Sequence, residues 1–261
     1  MTERVEIGGA APSTADLAAA ATSYGHFTAM QVRDGRVRGL RFHLDRLAAS
    51  TREVFGSELD TDLVRRCVRR LVAGRGDLSV RVIIFSRSSP HDAAMVPEIL
   101  VRTAPPRSHV ATPMRLRSVA YQRDLPHVKH LGGFGLTHHS RAAALAGYDD
   151  AVFLAGDGRI SEATIWNVGF LRDGTLVWPE AEVLPGITYL VLEDQLRAAG
   201  VPQETRPVYP AELPDFDAMF LTNSATIGRP VASVDDVPLR TSPAAAELLT
   251  KAYEAAPWDE I

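Results

Sequence analysis

One stretch, Ala104 to Pro113, carries three prolines and no hydrophobic periodicity, and longer segments rich in apolar residues flank it on both sides. Proline has no backbone donor and restricts the residue before it, so neither a helix nor a central strand runs through such a stretch. The break predicts two domains, 1–106 and 114–261, joined by a linker at 107–113. A chain of 261 residues is long enough for each to bury a core.

Both halves mix helices with strands. In the first, residues 27–33 and 36–40 flank Asp34-Gly35, a short hairpin signal. A helix is expected from Phe42 to Phe55, ending near Gly56, and another from Thr61 to Ala73 with Asp60 or Thr61 as its cap. The second helix carries an apolar stripe, Leu63, Val64, Cys67, Val68, Leu71 and Val72, and Arg65, Arg66, Arg69 and Arg70 read as its solvated face. Val80–Phe85 and Ile99–Thr103 read as buried strands. In the second half a strand begins at Met114. Strands near 151–155, 167–171, 175–178 and 218–222 alternate with helices near 137–146, 187–199 and 244–254. The pattern is α+β.

A net charge of −4 argues against a general nucleic-acid binder, because such binding is driven by neutralising phosphates. Cys67 is the single cysteine, so no intramolecular disulfide forms, and its place on the apolar stripe assigns it to packing. No apolar run reaches membrane-spanning length, and Met1-Thr2-Glu3-Arg4 lacks the order of a secretory signal. These features point to a cytoplasmic protein with no membrane partner.

Of the 28 basic residues only Lys129 and Lys251 are lysines. An amine whose pKa falls on burial can form a Schiff base, and a guanidinium cannot. That is a chemical reason to keep Lys129, although a codon bias toward arginine would also leave an occasional lysine. Lys129 sits in Pro126-His127-Val128-Lys129-His130-Leu131-Gly132-Gly133. Downstream come Asp149-Asp150-Ala151-Val152-Phe153-Leu154, Gly156-Asp157-Gly158, Ile160-Ser161-Glu162 running to Asn167-Val168-Gly169-Phe170, and Leu184-Pro185-Gly186-Ile187-Thr188. Tyr24-Gly25-His26-Phe27-Thr28 and Phe42-His43-Leu44-Asp45-Arg46-Leu47 precede these strings, and Phe220-Leu221-Thr222-Asn223-Ser224 follows them.

In this order the strings resemble the fold-type IV pyridoxal-phosphate enzymes, the class IV aminotransferases, which include branched-chain and D-amino-acid aminotransferases and aminodeoxychorismate lyase. The resemblance implies an N-terminal α/β layer, a C-terminal pseudo-barrel and a homodimer. It further implies a transaminase that moves an amino group from an amino acid or amine to a 2-oxo acid, with pyridoxal 5′-phosphate as cofactor. Lys129 would supply the amine and then act as the base. Glu162, in Ser-Glu-x-x-x-x-Asn with Asn167, would face the ring nitrogen and hold it protonated. Ile187 and Thr188 at a helix start, Arg46 three residues after His43, and Ser224 with Ala225 would hold the phosphate.

Some positions depart from the pattern. Phe134 stands where branched-chain enzymes have a tyrosine, and Tyr189 where an arginine is common. His26-Phe27-Thr28, Asp34-Gly35, Val128–Leu131 and Thr222–Ser224 are close to the lyase branch, whereas Ala29 replaces a second threonine of that branch. A lyase is therefore the alternative, and a catalytically silent relative a third reading, against which both Lys129 and Glu162 argue. His127, His130, His138 and His139 cluster around Lys129, but no cysteine or HExxH-like partner accompanies them, so no metal site is expected.

Overall fold

The computed structural model describes residues 3–107 and 110–261, and they form two units. One comprises residues up to 107 together with 128–133 and 257–261; the other comprises the rest of 108–127 together with 134–256. Residues 108 and 109 of the expected linker lie outside the described residues, as do Met1 and Thr2 of the N-terminal stretch.

The first unit runs β1 (Arg4–Ile7), α1 (Thr14–Ala20), β2 (His26–Val32), β3 (Arg36–Arg38), α2 (Leu40–Phe55), α3 (Thr61–Val72), β4 (Leu78–Phe85) and β5 (Glu98–Ala104). Its antiparallel sheet has the order β1-β5-β4-β2. Period-two alternation puts Met30 and Val32 of β2, Leu78, Val80, Val82 and Ile84 of β4, and Val101 of β5 on one face. Leu47, Phe55, Val64, Cys67, Val68 and Leu71 of α2 and α3 belong to the same core. Asp60 caps α3 by accepting from the Leu63 N–H at 2.8 Å, and Gly56 ends α2 at φ +63°.

Asp34-Gly35 turns as expected, with φ of +48° and +72°. The hairpin it starts does not extend: one bridge joins Arg33 to Arg36, and β3 instead pairs with the strand Trp258–Glu260. The Asp259 carboxylate also accepts from the Leu40 N–H at 2.9 Å. The arginine face of α3 is more than solvated. Arg70 pairs with Glu6 at 2.6 Å, and Arg65 and Arg69 donate to the backbone carbonyls of Glu260 and Ile261.

The second unit runs β6 (Met114–Ala120), α4 (Phe134–Leu145), β7 (Asp150–Leu154), β8 (Ile160–Ala163), β9 (Trp166–Arg172), β10 (Thr175–Pro179), α5 (Ile187–Ala198), β11 (Gln203–Arg206), β12 (Ala218–Asn223), β13 (Thr226–Val234), β14 (Val237–Pro238) and α6 (Pro243–Ala255). Six strands, β9-β12-β13-β6-β7-β8, close into a ring through the β8–β9 pairing, which is the expected barrel. Alternation again sorts the side chains. Val168, Phe170, Met219 and Leu221 join one core with Leu116, Val152 and Val231. Leu176, Trp178 and Phe220 face the other way, against Leu192, Leu196 and Leu249 of α5 and α6. Gly169 lies on that second face, where a Cβ would come within 2.4 Å of the Phe220 ring, so the strand needs glycine there.

The sequence gives little sign of β8, four residues long, or of β13, in which Gly228 and Pro230 interrupt the alternation and the register shifts near Val231. Among the described residues no helix is long and apolar enough to cross a membrane.

Candidate active site

Lys129 belongs to the first unit although residues of the second flank it in sequence. Its segment docks as an extra antiparallel strand on β2: the Phe27 N–H donates to the Lys129 carbonyl at 2.9 Å, and the Leu131 N–H donates to that of Gly25 at 2.8 Å. Gly25 permits this approach, because a Cβ there would lie 3.0 Å from Leu131 Cδ1 of the docked segment and 2.6 Å from the Ile84 carbonyl oxygen of β4. The half-buried Lys129 side chain places Nζ 5.1 Å from the Phe27 ring centroid. The Arg81 guanidinium lies 4.3 Å from the same centroid. Burial first, then Arg102 and Arg107, lowers the pKa of Arg81. Sequence reasoning missed Arg81; a charged residue in an otherwise apolar strand, Val80 to Phe85, was the available signal.

Arg46 sits on the other side of β2. Its Nη2 donates to Thr28 Oγ1 at 2.7 Å, and Thr28 Oγ1 lies 2.6 Å from His43 Nδ1. Residues 43 and 46 share a face of α2, as their spacing requires. Burial, then the charge of Arg46, pushes the His43 pKa down to about 3. His26 is held at about 4 by the same two causes. Its Nε2 lies 3.0 Å from Thr51 Oγ1, whose own hydrogen goes to the Leu47 carbonyl. Nε2 of His26 therefore carries the proton.

In the second unit the Ser-Glu-x-x-x-x-Asn string forms the β8–β9 hairpin, in which Glu162 stands directly opposite Asn167. Cross-strand partners project to the same face of a sheet, so this spacing brings an anion and an amide together. Both hold the loop that enters α5. Glu162 Oε2 accepts from the Leu184 N–H at 3.2 Å, and Asn167 Nδ2 donates to the Leu184 carbonyl at 2.6 Å. Asn167 packs so closely that a Cβ on Gly186 would fall 2.0 Å from its Oδ1. The second carboxylate oxygen of Glu162 pairs with Arg123 at 3.3 Å, both side chains being buried. Arg123 also donates to the Pro126 carbonyl at 2.9 Å. Nothing in the sequence marked Arg123 out from the other arginines.

Helix α5 starts at Ile187 with no side-chain cap on its N-terminus. The N–H groups of Ile187 and Thr188 thus have no acceptor within the helix, and the dipole there favours an anion. The Thr188 hydroxyl donates to the Asn223 carbonyl at 2.9 Å, tying α5 to the end of β12 next to Ser224. The Ala225 N–H is engaged: it donates to Asn223 Oδ1 at 2.9 Å. Glu162, Asn167, Ile187, Thr188, Ser224 and Ala225 are therefore brought together within the second unit, while Lys129 and Arg46 flank β2 in the first. Phe134 is 84 % exposed and stacks on His138, and Tyr189 packs edge-on against Trp178. His139 lies against Tyr121 and Phe153.

The family described as Amino-transferase class IV matches residues 25–234. A bifunctional aminodeoxychorismate lyase / D-amino acid transaminase of Mycobacterium tuberculosis is 28% identical over 267 residues, covering 93% of this chain and 92% of that protein. The branched-chain aminotransferase of Thermoproteus uzoniensis, solved with norvaline, superposes with a TM-score of 0.81 at 19% identity, over 95% of this chain and 92% of that one. That of Thermobaculum terrenum in its PLP form gives 0.78 at 21% identity, over 90% and 85%. At such identities the two structures establish the fold, that of the fold-type IV enzymes. With most of its length matched by the family and its barrel closed in the same manner, the chain belongs to the class IV aminotransferases.

Proposed function

We propose that this protein is a pyridoxal 5′-phosphate-dependent transaminase moving an amino group from an amino acid or amine to a 2-oxo acid. The observation that carries the reading is the Phe27 ring, which is in contact range of both the Lys129 amine and the Arg81 guanidinium. An amine suits carbonyl chemistry, and a guanidinium suits the carboxylate shared by amino acids and 2-oxo acids.

The residues present fit the cofactor by their chemistry. They offer a reactive amine, a buried carboxylate, an arginine, and a helix N-terminus whose entry loop is pressed against Asn167 at a glycine. When bound, pyridoxal phosphate supplies an aldehyde that condenses with amines and a ring that takes up the electron pair released at the substrate α-carbon. Lys129 would hold it between turnovers and would move the proton at that carbon. Glu162 would face the ring nitrogen and favour a proton on it, and its pairing with Arg123 avoids an isolated buried charge. Asn167 holds the loop at Leu184, and the N–H groups of Ile187 and Thr188 would bind the phosphate. The resemblance assigns Arg46, in the first unit, and the Ser224 hydroxyl, in the second, to the phosphate as well. Ala225 contributes there only if its N–H leaves Asn223. Arg81 orients the substrate carboxylate. A homodimer and a cytoplasmic setting follow from the family resemblance and the composition, and sedimentation of the purified protein tests the former.

A lyase acting on aminodeoxychorismate is the second reading, favoured by the double name of the M. tuberculosis relative. The two differ in what an amino donor does alone. A transaminase releases one equivalent of 2-oxo acid per site and stops until a second 2-oxo acid is added. Sustained pyruvate release from aminodeoxychorismate, indifferent to added 2-oxo acids, identifies the lyase. No spectral change of bound cofactor with any donor leaves the silent relative. Borohydride reduction of the loaded protein, followed by peptide mapping, should label Lys129; a label on Lys251 overturns the assignment.

A further inference from the structure

We propose that Thr28, oriented by His43, is a positioning residue that fixes the direction of the Arg46 guanidinium. The inference rests on the reading of Arg46 as a phosphate ligand and adds what aims it. A half-buried arginine has several rotatable bonds, and unless one of its nitrogens is tied it spreads over many directions. Nη2 is tied here to Thr28 Oγ1 at 2.7 Å. A guanidinium only donates, so the hydroxyl accepts from it and has its own single hydrogen left to place.

His43 Nδ1, 2.6 Å away, is the acceptor for that hydrogen. The arrangement requires a neutral imidazole with Nδ1 bare, and burial keeps His43 neutral at ordinary pH. Hydrogen bonds in series, Arg46 to Thr28 to His43, polarise one another and define one rotamer of the hydroxyl. Thr28 and His43 are both fully buried, so water does not compete for either link. The chain joins β2 to α2 across the core face, which places the arginine by the sheet-to-helix packing rather than by its own side-chain preferences.

Two substitutions at Thr28 separate positioning from packing. T28V keeps the shape and removes the hydroxyl; T28S keeps the hydroxyl and removes a methyl. The readout is the ratio of dissociation constants for pyridoxal and pyridoxal phosphate, by equilibrium dialysis, which isolates what the phosphate contributes. T28V should shrink the phosphate advantage about tenfold, as expected for loss of a hydrogen bond to a charged group, and T28S should retain it. H43F, which keeps a buried ring and removes the acceptor, should shift the ratio in the same direction, and it carries the comparison if T28V does not fold. A normal ratio in T28V and H43F beside a diminished one in R46A overturns the positioning role. Impairment by T28S and not by T28V makes Thr28 a packing residue. An unchanged ratio in R46A overturns the phosphate reading, and the positioning role with it.

Discussion

Glu162 is engaged on both oxygens, by Arg123 and by the Leu184 N–H, before any ligand is considered. Glu162→Gln should therefore do two separable things. Leaving Arg123 buried without its anion should lower unfolding stability by about 3 kcal/mol, read by denaturant melts. Weakening the partner of the ring nitrogen should slow a single turnover at saturating cofactor by roughly ten- to a hundredfold. An unchanged single-turnover rate removes Glu162 from the ring nitrogen even if stability falls. Lys129 and Glu162 could be singled out as candidates from the sequence because each stands in a string with fitting chemistry and spacing. Arg123 and Arg81 were not, since they are two among many arginines and only tertiary contact distinguishes them. The hydrogen bonds within the Asn223 turn, which occupy the Ala225 N–H, are likewise invisible until the turn is built.

At the scale of elements the β8–β9 hairpin and the start of α5 act as one clamp, closed where Gly186 meets Asn167. Gly186→Ala should force the loop away from Asn167, raise the dissociation constant for pyridoxal phosphate and lower the melting temperature. Adding Asn167→Ala should restore part of the affinity by making room for the methyl. If G186A binds the cofactor as the parent does, the clamp does not shape the phosphate site. The helices were legible from apolar spacing and caps, α3 to within a residue, since Asp60 and the Val64-Cys67-Val68-Leu71 stripe agree. Short polar strands were not: β8 contains Ser161 and Glu162, whose burial depends on the closed ring rather than on local pattern. The expected partner of β3 also failed, because a turn sequence reports where the chain reverses and not which strand it then meets.

At the scale of the molecule, His26 and His43 put an acid limit on the first unit. Both have folded-state pKa values, about 4 and about 3, below the ordinary 6.5. The unfolded chain takes up protons that the fold refuses, so their stabilisation is complete above pH 6.5 and declines as pH falls toward 4 and 3. Each should cost about 2 kcal/mol between pH 7 and pH 5, read as a falling denaturant midpoint. A flat profile contradicts the buried, neutral state of the pair. The proline-rich break does not foretell that residues 128–133 and 257–261 belong with the first unit, because strands far apart in sequence, β2 and β3, pair with those segments. The pairing of β3 with Trp258–Glu260 has a consequence for biosynthesis. Leu40 and the Asp259 side chain that caps it are 219 positions apart, so a ribosome has translated the barrel before it delivers the piece that finishes the first layer. Until then β3 has no partner strand and the Leu40 N–H no side-chain acceptor, so a nascent chain that already carries its lysine still lacks the last pairing of its first unit.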